Sequence, residues 1–197
     1  MVAQVRQLSG IKKVGHAGTL DPQAEGLLIV LVGKEYTKQS DSFLKLDKTY
    51  KFTIKLGEIS DTGDSEGTKT TISAKIPTKK AILSALQAFT GEISQTPPQY
   101  SAIKIDGVRS YKMARKGQKV EITPRKVTIH SLKLLDYSYP LISLEADVSS
   151  GTYIRSLAED IGTKLGTGAY CTEIIRTRIG DKQLKNATIL VDTKQTH

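Results

Sequence analysis

Two segments of the sequence alternate strictly between apolar and polar residues, and this alternation constrains the fold more than any other feature. Residues 49–56 read TYKFTIKL, and residues 141–149 read LISLEADVS. A period of two places successive side chains on opposite faces of a β-strand, so each segment predicts a strand with one buried face. Tyr50 belongs to the apolar set of the first strand, so we expect its ring to point toward the core.

The remaining patterns predict further strands and a few helices. Strands are expected at 26–33, 126–136 and 169–179, and helices at 3–9, 78–91, 109–116 and 152–166, the last with Thr152 as its N-cap. Because few helices separate the strands, we expect an α+β fold with a mixed, largely antiparallel central sheet and flanking helices. A chain of 197 residues predicts a single domain, residues 1–197.

Positive charge is concentrated in one part of the chain. Lys and Arg number 29 against 20 Asp and Glu, and residues 104–133 hold nine of these cations with only Asp106 and Glu121 against them. Such a basic stripe is the footprint expected for a phosphate backbone, although a solvated basic face without a partner has the same composition. Gly107, Gly117 and Pro124 interrupt the segment, which argues against an amphipathic helix on a membrane surface.

Several classes of protein are excluded by what the sequence lacks. The single cysteine, Cys171, rules out a disulfide framework. There is no apolar run of about 20 residues and no signal peptide, so we expect a cytoplasmic protein without a membrane partner. The three histidines lie too far apart for a metal pattern, and P-loop, GxGxxG, HExxH and GxSxG motifs are absent. We therefore expect no cofactor and no metal.

Three short patterns could carry chemistry. Asp21 lies in the loop KVGHAGTLDPQAEG, Tyr50 starts a strand, and GTYIR places Tyr153 and Arg155 at the start of a helix. An arginine beside a carboxylate favours its ionised form, and a bidentate fork fixes its rotamer, as a nucleophile or base requires. Taken singly, an Asp-Pro pair is also a turn former, a buried tyrosine is also core, and a helical arginine is also a surface charge.

Four segments together resemble one enzyme family. GHAGTLDPQAEGLLIVLVGKEYTK, KTYKFTIKLGEISDTGDSEG, PPQYSAIKIDGVRSYKMARKG and SSGTYIRSLAEDIGTKLGTGAYCTEIIRTRIG resemble, in order and spacing, TruB-type tRNA pseudouridine synthases. The resemblance implies the pseudouridine synthase fold and an isomerase without cofactor or metal. Its substrate would be the uridine at position 55 of tRNA, in the T-arm loop, and the enzyme would act as a monomer.

The resemblance also implies roles for individual residues. Asp21 would be the catalytic aspartate, Tyr50 would stack on the flipped base and assist proton removal from C5, and Arg155 would pair with the aspartate. Contacts to the substrate are implied for His16, Tyr153, Ile174 and Lys104. An insertion at about 97–126 would grip the RNA. The cations expected to bind RNA are Arg109, Lys112, Arg115, Lys116, Arg125, Lys126 and the pair Arg176 and Arg178, which the last strand is expected to present on one face.

The sequence also departs from the family pattern. It opens inside the first helix of that pattern and ends soon after the last strand, so we expect an N-terminally truncated member without a C-terminal PUA-type domain. Glu25 stands where the family has a small hydroxyl residue, and Ile175 where it has an arginine. Two alternatives stay open: a guide-dependent enzyme, and a non-catalytic RNA-binding member of the same family.

Overall fold

A computed structural model describes residues 1–101, 103–105, 107–114 and 121–190. Six helices lie in these ranges: α1 Val2–Ser9, α2 Lys34–Thr37, α3 Ser40–Leu44, α4 Lys79–Ala88, α5 Ser110–Ala114 and α6 Ile154–Leu165, with a 3₁₀ turn at Leu184–Asn186. The strands there are β1 Val14–Ala17, β2 Ala24–Gly26, β3 Ile29–Val32, β4 Lys48–Leu56, β5 Glu58–Ser60, β6 Lys69–Thr71, β7 Gly91–Gln95, β8 Lys104–Ile105, β9 Val108–Arg109, β10 Arg125–Ser138, β11 Leu141–Val148, β12 Ala169–Ile179 and β13 Lys182–Gln183.

A seven-stranded sheet organises the described chain. Its strands follow the order β13-β12-β4-β11-β10-β7, and β2 pairs with β12. The β2–β12 pair is parallel, whereas every other pair of this sheet is antiparallel. Shorter hairpins join β1 to β3, β5 to β6 and β8 to β9. The predicted α+β fold with a mixed, largely antiparallel sheet is therefore confirmed.

One face of the sheet forms the core because the two alternating strands are neighbours. The apolar set of β4 and the apolar set of β11 pair across the sheet and are almost fully buried. Helices α4 and α6 cover this face, with Leu157 and Ile161 of α6 and Ile82 of α4 at zero exposure. The prediction that Tyr50 points inward is confirmed, since it is 8% exposed.

A β-bulge in β12 makes one sequence prediction wrong. Arg176 pairs with Tyr50, but Arg178 pairs with Thr49, so one extra residue of β12 lies between the two pairs. Tyr50 and Thr49 point to opposite faces of the sheet, and so do the arginines beside them. Arg176 is 2% exposed on the core face, and Arg178 lies half-buried on the other face. The two arginines therefore do not share a face.

Two element boundaries also differ from the predictions. The apolar run at 26–33 is not one strand, because β2 pairs with β12 and ends at Gly26, where φ is +105°, and β3 begins at Ile29, where pairing with β1 starts. The N-cap of α6 is Tyr153 rather than Thr152, whose Oγ1 donates to the Ser149 carbonyl instead. Of the predicted basic helix at 109–116, α5 is present, and 115–116 lie outside the described residues.

Candidate active site

Four of the residues predicted as catalytic or substrate-contacting line one cavity that is partly open to solvent, and Arg176, predicted to bind RNA, lines it as well. Asp21, Tyr50, Tyr153 and Ile174 all line it. They belong to the loop after β1, to β4, to the N-cap of α6 and to β12. Because β4 and β12 are adjacent in the sheet and α6 packs across them, residues far apart in sequence meet at one place. The cavity thus combines a carboxylate, two phenol rings and an aliphatic wall.

Asp21 is held by Arg155 and remains accessible. The Nε of Arg155 donates to Oδ2 of Asp21 at 2.8 Å. The arginine side chain is only 4% exposed, whereas that of the aspartate is 40% exposed. A charge-assisted hydrogen bond from a buried donor fixes the direction of the carboxylate, while its solvent-facing side stays free to meet a substrate.

The expected bidentate fork is wrong, because the other nitrogens of Arg155 bind elsewhere. Nη1 donates to the Thr62 carbonyl at 2.8 Å and contacts Oδ2 of Asp64 at 3.4 Å. Nη2 donates to the Tyr100 carbonyl at 2.8 Å. A buried guanidinium needs its donors satisfied, and backbone carbonyls do this without adding charge. Arg155 therefore joins the Asp21 loop to two other segments of the chain.

A second buried arginine, Arg176, closes the base of the Asp21 loop. Its Nε donates to the Leu27 carbonyl at 2.8 Å, and its Nη2 donates to the Gly18 carbonyl at 3.0 Å. In return, the backbone carbonyl of Arg176 accepts from the Leu27 amide at 2.8 Å. Both ends of the loop are thus fastened to one residue of β12. The sequence resemblance implies RNA binding for Arg176, but its guanidinium is buried and supports the loop instead.

Close approach of the loop to β12 requires a glycine at residue 26. A Cβ at Gly26 would lie 2.3 Å from the carbonyl oxygen of Arg176, far inside van der Waals contact. Its φ of +105° is also a conformation that residues with side chains rarely adopt. The sequence analysis did not identify this contact, since a glycine before an apolar run has many possible causes.

The charges of Asp21 and Arg176 act in opposite directions on the pKa of Tyr50. Burial raises the pKa of Tyr50, the Arg176 guanidinium opposes that rise, and the Asp21 charge adds to it. The phenol is therefore protonated at neutral pH, and the nearby cation lowers the cost of releasing its proton. Burial likewise raises the pKa of Tyr153.

An acidic group missed by the sequence analysis lies one helical turn beyond Arg155. Burial, together with the charges of Asp160 and Asp64, raises the pKa of Glu159 to about 7, against the opposing effect of Arg155. Its carboxylate packs against Gly63, where a Cβ would come within 2.4 Å of Oε1. The Arg155 neighbourhood thus holds more carboxylates than the sequence motifs indicated.

Other predicted residues lie outside the cavity lining. His16 is exposed on β1, and Arg178 forms an ion pair with Asp147 at 2.6 Å on the far face of the sheet. Arg125 and Lys126 are exposed at the start of β10, where Lys126 pairs with Glu92 at 2.8 Å. The side chains of Lys104, Arg109 and Lys112, and the whole of Arg115 and Lys116, lie outside the described structure.

Neither a membrane span nor a metal cluster was found in the described ranges. No helix there is both long and apolar enough to cross a bilayer. No group of three or more His, Cys, Asp or Glu side chains is placed there to hold a metal ion.

Comparison with known proteins gives concordant results. The model of the "TruB family pseudouridylate synthase (N terminal domain)" matches residues 6–154. A protein named tRNA pseudouridine synthase B from Protochlamydia amoebophila is 46% identical over 186 residues, covering 94% of this chain and 71% of that protein. Its namesake from Aromatoleum aromaticum is 47% identical over 185 residues, covering 94% of this chain and 60% of that protein.

Solved structures share the fold at lower identity. A chain in the crystal structure of a Cbf5-Nop10-Gar1 complex superposes with a TM-score of 0.70 at 28% identity, covering 92% of this chain and 45% of that one. A chain in an H/ACA RNP bound to a substrate RNA containing 2′-deoxyuridine superposes with a TM-score of 0.67 at 25% identity, covering 92% and 43%. The sequence resemblance is thereby confirmed, and the chain belongs to the TruB family of pseudouridylate synthases.

Proposed function

We propose that this chain converts a uridine of tRNA to pseudouridine, at position 55 in the T-arm loop, with Asp21 as the catalytic carboxylate. The observation that carries the proposal is the Asp21–Arg155 pair at a cavity with an aromatic and an aliphatic wall. Relatives that are 42–47% identical to this chain are named tRNA pseudouridine synthase B, which supports tRNA as the substrate.

The reaction requires the target uridine to leave its stack. C1′, C5 and C6 are hidden within a stacked loop, so the nucleotide must be flipped out, at a cost of a few kcal/mol. Stacking of the uracil on the Tyr50 ring, with Ile174 against it, would offset part of this cost. Asp21 lines the cavity and its side chain is 40% exposed, so a flipped uridine there would meet the carboxylate.

The isomerisation breaks the N1–C1′ bond, forms a C5–C1′ bond, and moves one proton from C5 while N1 gains one. An ionised and fixed Asp21 suits three alternative first steps: attack on C1′, addition to C6, and removal of a ribose proton. Tyr50 would assist removal of the C5 proton. Since burial raises its pKa, this role depends on the Arg176 charge that favours the phenolate.

Affinity for RNA would come from exposed cations rather than from the cavity. Arg125 and Lys126 are exposed at the start of β10, where the insertion at about 97–126 rejoins the sheet. Phosphate contacts of this kind are independent of base sequence and weaken steeply with salt. Recognition of the T-arm would then rest on the shape of its loop, as is usual for folded RNA. We propose a cytoplasmic monomer that acts without cofactor or metal.

A T-arm hairpin tests this function directly. The purified chain is incubated with an unmodified hairpin, and pseudouridine is mapped by carbodiimide treatment and reverse-transcription stops. We expect one stop at the target uridine and none in a hairpin that carries cytidine there. Binding without product would favour a non-catalytic RNA-binding protein.

The same assay addresses guide dependence. The H/ACA RNP neighbour superposes on this chain with 25% identity, well below the 46% identity to the tRNA pseudouridine synthase B of Protochlamydia amoebophila. We therefore expect modification of the hairpin without any added RNA or protein. Product that forms only after a guide RNA is supplied would support the guide-dependent alternative.

A further inference from the structure

We propose that Gln95 is a positioning residue for the reaction proposed above, because its side-chain amide holds the start of α6, from which Tyr153 and Arg155 reach the cavity. This inference rests on the proposed function. Gln95 does not line the cavity, and nothing in the sequence patterns singled it out.

The Gln95 amide makes a matched pair of hydrogen bonds to one residue. Its Oε1 accepts from the Tyr153 amide at 2.8 Å, and its Nε2 donates to the Tyr153 carbonyl at 3.1 Å. The side chain thus imitates a neighbouring β-strand and uses both ends of its amide. At 1% exposure, neither bond can be replaced by bulk water.

The start of α6 depends on such contacts because it lacks the usual cap. Its N-cap residue, Tyr153, makes no side-chain capping bond. The Tyr153 carbonyl also accepts the first hydrogen bond of the helix, from the Leu157 amide at 3.1 Å. The donor and acceptor of Gln95 therefore set the point at which the helix begins, and with it the direction in which Arg155 leaves the helix.

Two further bonds join the same turn of α6 to the segment that follows Gln95. Ser156 Oγ donates to the Thr96 carbonyl at 2.8 Å. Arg155 Nη2 donates to the Tyr100 carbonyl at 2.8 Å. Because Arg155 also holds Asp21, a shift of the 95–100 segment would move the catalytic carboxylate.

Gln95 also lies where the insertion at about 97–126 leaves the sheet. It is the last residue of β7 and pairs with Arg125, the first residue of β10, so the insertion leaves and rejoins the sheet at this pair. The short helix α5 is bonded to the same segment, with Ser110 Oγ donating to the Gln99 carbonyl at 2.5 Å. RNA bound by the insertion would therefore act on residues 95–100, which the Gln95 amide joins to α6 by its hydrogen bonds to Tyr153.

Replacement by methionine separates this role from simple packing. Gln95→Met keeps the length of the side chain but loses both hydrogen bonds to Tyr153. Displacement of catalytic groups by less than an ångström costs rate rather than affinity. We expect the single-turnover rate at saturating hairpin to fall by about 10- to 100-fold, while the Kd for the hairpin changes by less than about threefold.

Two other variants keep the test decisive. Gln87→Met on the exposed side of α4 is the matched control and should leave both quantities unchanged. Ser156→Ala removes the hydroxyl that bonds the Thr96 carbonyl and is expected to lower the single-turnover rate by about threefold. This variant keeps the inference testable if Gln95→Met does not fold. A Gln95→Met or Ser156→Ala enzyme with wild-type rate overturns the inference, as does a loss explained wholly by Kd. An inactive wild-type enzyme would instead overturn the proposed function.

Discussion

The cations of this protein divide into two regions with opposite surroundings. Arg155 and Arg176, around Asp21, are 4% and 2% exposed, and their donors bind carbonyls or carboxylates of the chain. Arg125 and Lys126, at the end of the insertion, are exposed, and the Lys126 side chain keeps 78% of its surface in solvent. Cations thus fix the positions of neighbouring groups in the first region and attract negative charge at long range in the second.

Burial explains the difference between the regions. A buried cation loses its hydration and is retained only where fixed partners replace the water, so its position is tightly defined. An exposed cation keeps its hydration and contributes little to stability, but it raises the local concentration of a phosphate backbone. We therefore expect the buried cations to control stability and rate, and the exposed ones to control the salt dependence of binding.

The largest effect is expected when the buried cation is removed. Arg155→Met leaves Asp21 and Asp64 without their partner, and breaking a buried pair costs about 3–5 kcal/mol of unfolding free energy. Lys126→Met is the control from the exposed region, since the side chains of its ion pair with Glu92 are 78% and 60% exposed and such a pair contributes little to stability. Urea unfolding of both variants measures the difference, and equal losses would contradict the distinction between the regions.

A smaller loss of stability is expected at the contact beneath the Asp21 loop. Gly26→Ala and Gly91→Ala impose the same backbone strain, since φ is +105° and +104°, but only Gly26 has backbone within 4 Å of the added Cβ. We expect Gly91→Ala to cost about 1–2 kcal/mol, the price of the conformation alone. Gly26→Ala should exceed it by about 2 kcal/mol or more, in the range of overpacked sites. Equal midpoints in urea would show that β12 yields to the new methyl group.

The buried region should also respond to pH through Glu159. Its pKa of about 7 in the native protein lies above the ordinary 4.5, so the native state holds this proton more tightly than the unfolded chain. Its contribution to stability is therefore complete below about pH 4.5 and is lost as pH rises through about 7. We expect the stability of Glu159→Gln, relative to wild type, to increase from pH 4.5 to 7 and to level off above. A constant difference between the two proteins across this range would refute the assignment.

The smallest effect is expected for the exposed cations and concerns binding alone. Arg125→Ala with Lys126→Ala should lower the slope of log Kd against log salt by about two, one for each lost phosphate contact. The single-turnover rate at saturating hairpin should stay at the wild-type value. The exposed pair Lys79→Ala with Lys80→Ala on α4 serves as the control of equal charge. An unchanged slope in Arg125→Ala with Lys126→Ala would remove these residues from the RNA interface.

Much of this architecture could be predicted from local patterns. The period-two alternation located β4 and β11, and apolar spacing with a closing glycine located α6. The GTLDP and GTYIR motifs named Asp21 and Arg155, which the structure places 2.8 Å apart. These features are encoded by residues close together in the chain, so a single sequence carries them.

What could not be predicted depends on contacts between distant segments. One extra residue in β12 reversed the face of Arg178, and no local pattern distinguishes a bulge from a regular strand. The hydrogen bonds between Gln95 and Tyr153 join residues 58 positions apart, and the hydrogen bond from Arg176 to Gly18 joins residues 158 positions apart. A glutamine or an arginine in a strand has the same sequence signature whether it faces water or a buried carbonyl.

The direct test of the account is the Asp21→Asn variant on the T-arm hairpin, with rate and affinity measured on the same preparation. Asparagine keeps the shape of the side chain but cannot act as an ionised nucleophile or base. The account predicts a loss of single-turnover rate of about 1,000-fold or more, with a Kd within about threefold of wild type. Pseudouridine formed at the wild-type rate by Asp21→Asn would contradict it.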